Sequence, residues 1–124
     1  MDPYRIEADR NTPLIFLKPD GIMAIKGRSI HENVVEFYSP AFEWADEYVT
    51  KPAELTCVDI QLEYFNSASA KYIIKLLQKF RKVLFLDKKF VINWYYEEGD
   101  EDILERGEYF ASVLDMPFNF IKVV

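Results

Sequence analysis

The stretch that decides the fold is Tyr64-Phe65-Asn66-Ser67-Ala68-Ser69-Ala70-Lys71, where an apolar strand-like run ends and an amphipathic helix begins. Asn66 and Ser67 are both residue types that favour the N-cap, the position just before a helix. A helix N-terminus presents unpaired backbone N–H groups and a partial positive charge, which favour an anionic group nearby. Two interpretations of Ser67 follow: it is a plain cap or helix-start residue, or it accepts a phosphate. The same choice applies to Ser69.

From residue 54 onward the chain alternates between predicted strands and helices. Residues 55–64 place apolar side chains at even-numbered positions, which predicts a strand with one polar face. Residues 67–85 predict a helix with one apolar side and one lysine-rich side. The remaining predicted elements are a strand at 90–96, a helix at 100–114 and a strand at 118–124. This alternation favours an α/β layer with parallel strands and right-handed crossovers.

The N-terminal part predicts a hairpin followed by helix. Pro19-Asp20-Gly21 is a strong turn signal, and the apolar runs on either side of it predict a β-hairpin. Apolar residues then recur at helical spacing over 32–49. Pro40 lacks the N–H that a helix interior requires. The sequence therefore predicts a short helix, a break near Ser39 and a second helix with Pro40 in its first turn.

Length and composition narrow the class of protein. The 124 residues fit one α/β domain, residues 1–124, in which the hairpin and the later strands form one mixed sheet packed against helices. A net charge of −6 disfavours nucleic acid as a partner, because that partner needs a basic face. No apolar run is long enough to cross a membrane, so no membrane insertion is expected. The lone Cys57 can form no internal disulfide, and the charged N-terminus lacks a signal-peptide core, which indicates the cytoplasm.

Residue types that commonly carry catalysis are scarce. The chain has one histidine, His31, and one cysteine, and it lacks the glycine patterns of P-loops, dinucleotide sites and nucleophile elbows. The sequence therefore predicts a protein that is not an enzyme and uses no cofactor or metal. His31 precedes a helix start, where a surface position is the plainer interpretation and a ligand or general base is the alternative.

The C-terminal half contains two candidate contact surfaces. The acidic run Glu97-Glu98-Gly99-Asp100-Glu101-Asp102 lacks the ligand spacing of an EF-hand loop, so it is interpreted as a solvated face or a partner-contact surface, with Asp100 as an N-cap. Trp94-Tyr95-Tyr96 are three consecutive bulky residues, so at least one must face away from the core and could anchor an interface. The residues predicted to contact a partner are Asn66, Ser67, Lys71, Trp94, Tyr96, Glu97, Glu98 and Asp100.

Several stretches, taken together, resemble one bacterial family, the SiaC-type regulatory phosphoproteins, which are similar to STAS-domain anti-sigma factor antagonists. The matching stretches are Thr12-Pro13, Gly27-Arg28-Ser29, Glu32-Asn33, Phe37-Tyr38-Ser39-Pro40, Glu43-Trp44, Tyr64-Phe65-Asn66-Ser67 with Ser69 and Lys71, Asn93-Trp94-Tyr95-Tyr96-Glu97-Glu98, Asp100-Glu101-Asp102 and Met116-Pro117-Phe118. They occur in order over nearly the whole chain, so the set is specific although each stretch is short.

The resemblance implies a STAS-like α/β fold without catalysis of its own. It also implies a phosphorylated serine or threonine at the start of the helix after the central strand, modified by a partner kinase and restored by a PP2C-type phosphatase. That position here is Ser67, where the best-known branch has threonine, and Ser69 is the second choice. In that branch the unphosphorylated form binds and activates a diguanylate cyclase, which raises cyclic di-GMP and favours biofilm. Two alternatives remain open: a constitutive adaptor in which Ser67 only caps the helix, and an enzyme or small-ligand protein built around His31 and the acidic run.

Overall fold

A six-stranded mixed sheet forms the centre of the computed structural model, which describes all residues from 1 to 124. The strands are β1 (Tyr4–Ile6), β2 (Leu14–Leu17), β3 (Ile22–Ser29), β4 (Leu55–Phe65), β5 (Lys89–Glu97) and β6 (Asn119–Val123). The helices are α1 (Val34–Tyr48), α2 (Ser67–Arg81) and α3 (Glu101–Leu114), and a 3-10 helix at Lys82–Leu86 follows α2. The strands lie in chain order, antiparallel from β1 to β3 and parallel from β3 to β6. This architecture confirms the predicted fold class.

All three α-helices cover the same face of the sheet. Each joins one parallel strand to the next in the same direction, and right-handed crossovers then place every helix on one side. Burial agrees, because Val58, Ile60 and Leu62 of β4 are buried, whereas Asp59 and Gln61 on the other face are only half-buried. The core therefore lies between the sheet and the helices, and the opposite face of the sheet is uncovered.

Near the end that leads into α2, β4 contains one residue more than its neighbour β3. Leu62 and Tyr64 pair with consecutive residues of β3, so Glu63 is the extra residue of a β-bulge. The bulge reverses the alternation of side chains, because Tyr64 is 47% exposed while Phe65 is fully buried. The predicted alternation of even-numbered residues is therefore wrong at Tyr64. The bulge turns Phe65, the last residue before the helix cap, into the core.

The helix α1 runs without a break although Pro40 lies inside it, so the predicted break near Ser39 is wrong. Pro40 is exposed, and the fixed φ of proline suits a helix, so the main cost is one missing hydrogen bond at the surface. The buried face, which includes Tyr38, Ala41 and Trp44, continues across this position. Burial of that face outweighs the local loss, because each large apolar side chain contributes about 1.5–3 kcal/mol.

Two further elements differ from the sequence prediction. β1 is absent from that prediction, because three residues carry too little pattern. The helix predicted over 67–85 ends as an α-helix at Arg81, continues as a 3-10 helix to Leu86, and stops where Asp87 takes a left-handed conformation. None of the helices combines the length and the apolar character that a membrane span requires.

Candidate functional site

The start of α2 gives three polar side chains three different environments. Asn66 is the N-cap, since its Oδ1 accepts a hydrogen bond from the backbone N–H of Ser69 at 2.9 Å. Ser67 is the first residue of the helix and is exposed. Ser69 is fully buried, and its hydroxyl has no hydrogen-bond partner. A modifying enzyme can therefore reach Ser67 but not Ser69, which corrects the prediction of Ser69 as a second acceptor.

Positive charge lies near Ser67 on two different elements. Ser67, Lys71 and Arg106 line the same groove of about 640 Å³ between α2 and α3. Lys71 follows Ser67 by four residues, so the two side chains are neighbours on one helix face. Arg106 is held by its Nη1, which donates to the carbonyl of Phe65 at 2.6 Å, and by its guanidinium carbon, which lies 3.7 Å from the centre of the Phe65 ring. This arrangement can accommodate an anionic group on Ser67.

Sequence reasoning missed Arg106. The lysines of α2 form a visible stripe, whereas Arg106 stands in a predominantly acidic helix. A signal does exist, because Arg106 is the only lysine or arginine between Glu97 and Glu108. A lone cation in an acidic stretch suggests a specific contact, but its partner here is a backbone carbonyl. Only the packing of α3 beside the end of β4 reveals that this carbonyl belongs to Phe65.

Most of the acidic residues predicted to contact a partner lie outside the groove at Ser67. Tyr96, Glu97 and Asp100 line a second depression, of about 400 Å³, near the carboxyl ends of β4 and β5. Asp100 is the N-cap of α3, as predicted, and accepts a hydrogen bond from the N–H of Ile103 at 3.1 Å. Glu98 is exposed and lies outside this depression. The predicted contact residues therefore form two groups, one around Ser67 and one around Glu97.

Trp94 is a core residue, which corrects its prediction as an interface residue. It is 1% exposed, and its Nε1 donates to the carbonyl of Ile103 at 3.0 Å. The rings of Phe65 and Phe110 pack against the indole. The next residue, Tyr95, points to the uncovered face of the sheet because successive strand side chains alternate. The expectation that one of the three aromatic residues faces away from the core is therefore met by Tyr95.

His31 has a structural role at the start of α1. Its Nδ1 accepts a hydrogen bond from the N–H of Asn33 at 2.8 Å, and its ring stacks on that of Phe37 with centroids 5.8 Å apart. Asn33 is in turn the N-cap of α1. His31 lines neither of the two depressions described above. Neither depression joins His31 to the acidic run 97–102, as a site built from both would require.

A polar ladder crosses the uncovered face of the sheet. The side-chain amide of Asn93 donates to Asp59 at 2.8 Å, and that of Asn119 donates to Asn93 at 2.9 Å. Burial raises the pKa of the neighbouring Cys57 thiol, and the charge of Asp59 raises it further. A thiol with a raised pKa stays protonated and is a poor nucleophile. No three histidine, cysteine or acidic side chains are grouped so that they could hold a metal ion.

The structure is thus an α/β domain with a six-stranded mixed sheet and three helices, and it presents one accessible serine at the start of the helix that follows β4. The family model described as "SiaC family regulatory phosphoprotein" matches residues 6–123. The chain belongs to this family, which confirms the resemblance inferred from its sequence.

Individual relatives match nearly the whole length of the chain. An uncharacterised protein of Pseudomonas aeruginosa strain UCBPP-PA14 is 25% identical, over 95% of this chain and 94% of that protein. A chain in the crystal structure of the P. aeruginosa diguanylate cyclase SiaD in complex with its activator SiaC matches with a TM-score of 0.85 and 22% identity, over 97% of this chain and 99% of that chain. Apo-SiaC of P. aeruginosa matches with a TM-score of 0.84 and 22% identity, over 100% of both chains. The solved structures share the fold described above.

Proposed function

We propose that this protein is a cytoplasmic regulator without catalysis of its own, switched by reversible phosphorylation of Ser67. A protein kinase adds the phosphate and a PP2C-type phosphatase removes it. The unphosphorylated form docks to an effector, for which a diguanylate cyclase is the candidate. The observation that carries this proposal is the contrast at the start of α2: Ser67 is exposed, Ser69 is buried, and Asn66 performs the capping.

The fold is suited to carry a phosphate at this position. Phosphoserine adds a charge of about −1.5 to −2 at neutral pH. At a helix N-terminus that charge gains about 0.3–1 kcal/mol from the helix dipole. Lys71 and Arg106, which line the same groove as Ser67, add two positive charges. Phosphorylation should therefore leave the protein folded.

The phosphate is expected to weaken binding to the partner instead of disturbing the fold. A protein that covers the start of α2 would bury the new anion without a matching group of its own, at a cost of several kcal/mol. Each ~1.4 kcal/mol corresponds to a tenfold change in affinity. Binding should therefore fall by about a hundredfold or more without refolding. Charge at the interface, rather than a conformational change, is the proposed mechanism of the switch.

Family membership supports the choice of effector. The model that matches this chain describes regulatory phosphoproteins, and SiaC of P. aeruginosa is the activator in a complex with the diguanylate cyclase SiaD. By analogy, the output proposed here is cyclic di-GMP signalling and biofilm formation. The alternative of a constitutive adaptor needs a structural role for Ser67, and the capping role that it assumed belongs to Asn66. The alternative of an enzyme built around His31 needs a pocket that joins it to the acidic run.

The test begins with protein isolated from its native cell. Intact-mass measurement and peptide mapping should find a single phosphate on the peptide that contains Ser67. Binding to the purified diguanylate cyclases of the same cell is then compared for wild type, Ser67→Asp and Ser67→Asn. Asparagine has the size of aspartate without its charge, so Ser67→Asn is the matched control. We expect Ser67→Asp to bind at least a hundredfold more weakly and Ser67→Asn to bind like wild type. Equal binding by all three would favour the constitutive adaptor.

A further inference from the structure

The 3-10 helix that follows α2 carries a run of exposed apolar side chains. Leu84, Phe85 and Leu86 are 40%, 81% and 49% exposed, and every other exposed large apolar residue stands alone in the chain. Single exposed apolar residues are ordinary on a protein surface, whereas a run of three usually marks a contact site. We name these three residues the apolar tip.

The apolar tip is fixed by the fold and is not a frayed helix end. Val83, directly before it, is fully buried in the core. The backbone N–H of Lys88 donates to the carbonyl of Val83 at 3.3 Å, and the N–H of Asp87 donates to the carbonyl of Leu84 at 3.2 Å. These contacts hold the backbone on both sides of Phe85, so the exposure of its ring follows from the fold.

The shape of the apolar tip is convex. A 3-10 helix has three residues per turn, so three consecutive side chains project about 120° apart around its axis. None of the three lines the groove at Ser67 or the depression near Glu97. A protein partner would need a pocket that closes around three sides of the tip. A bilayer, in contrast, is fluid and adapts to a convex apolar group.

Basic side chains flank the apolar tip. Residues 81–89 contain four basic residues and one acidic residue, a net charge of +3 in a chain whose net charge is −6. Lys82 and Lys89 are exposed and form no ion pair, whereas Lys88 pairs with Glu54. The negative charge of the whole chain therefore hides a local basic surface. Lysine stems can lie along apolar surface while their ammonium groups reach polar headgroups.

A second copy of this chain fits the apolar tip poorly. An isologous contact would bring the tip of one protomer against the same tip of the other, and the exposed lysines would then face each other. Like charges brought together in this way oppose association. The complementary partner is a surface that carries negative charge, and the cytoplasmic leaflet of a membrane carries anionic lipids.

We propose that the apolar tip is a peripheral membrane anchor. Leu84, Phe85 and Leu86 enter the boundary between the headgroups and the acyl chains of a bilayer. Lys82 and Lys89 contact the anionic lipid headgroups. Apolar side chains combined with basic ones are typical of segments that bind at a membrane interface. Three apolar residues give weak and reversible binding, because stable attachment requires a second signal.

This anchor goes beyond the proposed function, because it lies at the other end of the sheet from Ser67. The apolar tip precedes the amino end of β5, whereas Ser67 follows the carboxyl end of β4, and the two strands are parallel. The helix α2 between them is about 21 Å long at a rise of about 1.5 Å per residue. With the tip in the bilayer, Ser67 therefore stays accessible to proteins in the cytoplasm.

Vesicle flotation with the purified full-length protein tests the anchor. Vesicles of phosphatidylcholine and phosphatidylglycerol in equal parts are compared with vesicles of phosphatidylcholine alone. We expect the protein to float with the acidic vesicles and not with the neutral ones, and we expect added salt to weaken this binding. Equal flotation with both kinds of vesicle overturns the proposal. Flotation with neither also overturns it and would favour a protein as the partner of the tip.

A pair of variants shows whether the apolar tip itself carries the binding. Phe85→Ser removes the most exposed ring and should lower partitioning into acidic vesicles about tenfold. Tyr109→Ser is the matched control, because Tyr109 is 64% exposed on α3, away from the tip, and its loss should leave partitioning unchanged. Equal losses in the two variants overturn the anchor.

The variant Phe85→Trp reports insertion directly. Trp44 and Trp94 are buried, so a change in emission on addition of acidic vesicles comes from the new indole. We expect a shift to shorter wavelength, because the indole moves from water into apolar surroundings. Bound protein with unshifted emission would mean that charge alone holds it at the surface, and the apolar tip would then not be an anchor.

Discussion

One pair of buried hydroxyl groups joins β3 to α1, and it makes the stability of the protein depend on pH. The Oη of Tyr38 lies 2.6 Å from the Oγ of Ser29, and both side chains are fully buried. Burial raises the pKa of Tyr38 from 10.0 to about 12, although the hydrogen bond with Ser29 opposes this. Because the folded-state pKa is raised, the stabilisation is complete below pH 10 and is lost as the pH rises to about 12.

The variant Tyr38→Phe should reveal this contribution. At pH 7 it should lose about 1–3 kcal/mol of unfolding free energy, because the hydroxyl of Ser29 is left unpaired. Between pH 9 and 11.5 the wild type should lose stability faster than the variant, by about 2 kcal/mol. Urea unfolding at several pH values measures both effects. Lysine titration affects the two proteins alike, so identical slopes would show that Tyr38 does not contribute.

At the scale of single residues, the sequence predicts that Ser67 stands at the start of a helix, but it does not predict which side chains surround it. A serine after a strand and before an amphipathic helix is recognisable from local pattern, because capping chemistry is local. The inward position of Trp94 and the burial of Ser69 depend on how α2 and α3 pack onto the sheet. Arg106 is the clearest case, since its hydrogen-bond partner is remote in sequence. The sequence around either residue of such a pair contains no pattern that predicts the contact.

At the scale of elements, α3 fits the sheet through one glycine. A Cβ at Gly107 would lie 2.5 Å from the Nε1 of Trp94, closer than atoms can approach. The indole cannot move aside easily, because it donates to the carbonyl of Ile103 and packs against Phe110. Gly107→Ala should therefore lower the unfolding free energy by about 1–3 kcal/mol, even though alanine favours helices by about 1 kcal/mol.

Chemical denaturation of Gly107→Ala, with tryptophan fluorescence as the probe, measures this loss. Ser112→Ala is the matched control, since Ser112 is exposed on the same helix and its change should stay within about 0.5 kcal/mol. A Gly107→Ala protein as stable as the control would mean that α3 can shift on the sheet.

Replacing Pro40, in contrast, should raise the stability of the protein. It is exposed in the middle of α1, where it contributes little packing and removes one backbone hydrogen bond. Pro40→Ala should therefore raise the unfolding free energy by about 1–3 kcal/mol. The measurement is urea unfolding at pH 7, with the same substitution at exposed Pro117 as a control outside any helix. A destabilised Pro40→Ala variant would indicate that the proline stiffens the helix usefully.

The same elements show what sequence pattern can and cannot predict. The strands from β2 to β6 and the helices α2 and α3 follow from turn signals and apolar periodicity, because burying one face imposes that period. The continuity of α1 could not be predicted, since a local rule about proline competes with burial along the whole helix. The bulge in β4 could not be predicted either, because one extra residue becomes visible only against the register of β3.

For the whole molecule, the proposed switch predicts a change in binding without a change in structure. Protein phosphorylated at Ser67 should have an unfolding free energy within about 1 kcal/mol of the unmodified protein, because the dipole and nearby cations offset the added charge. Hydrogen exchange should differ only at the first turn of α2 and in the neighbouring part of α3. Widespread loss of protection on phosphorylation would instead identify a conformational switch.

The topology of the whole molecule could be predicted, because it follows from the order of strands and helices along the chain. Strand–helix alternation predicts a parallel sheet, and right-handed connections then place all helices on one face. The sequence does not show which surfaces remain free. The polar ladder from Asp59 to Asn119 and the groove between α2 and α3 are both assembled from separate segments, so they appear only once the sheet has formed.

The bulge at Glu63 also determines to which face of the sheet the following side chains point. If Glu63 were instead paired regularly, with no bulge, Phe65 would fall on the outward side of the pleat, and the serine two places later would begin its helix from the opposite face. Deleting Glu63 would remove only the extra residue, so Tyr64 and Phe65 would keep their partners Arg28 and Ser29 and their present faces. The orientation from which Ser67 begins α2 therefore depends on Glu63 staying out of the ladder.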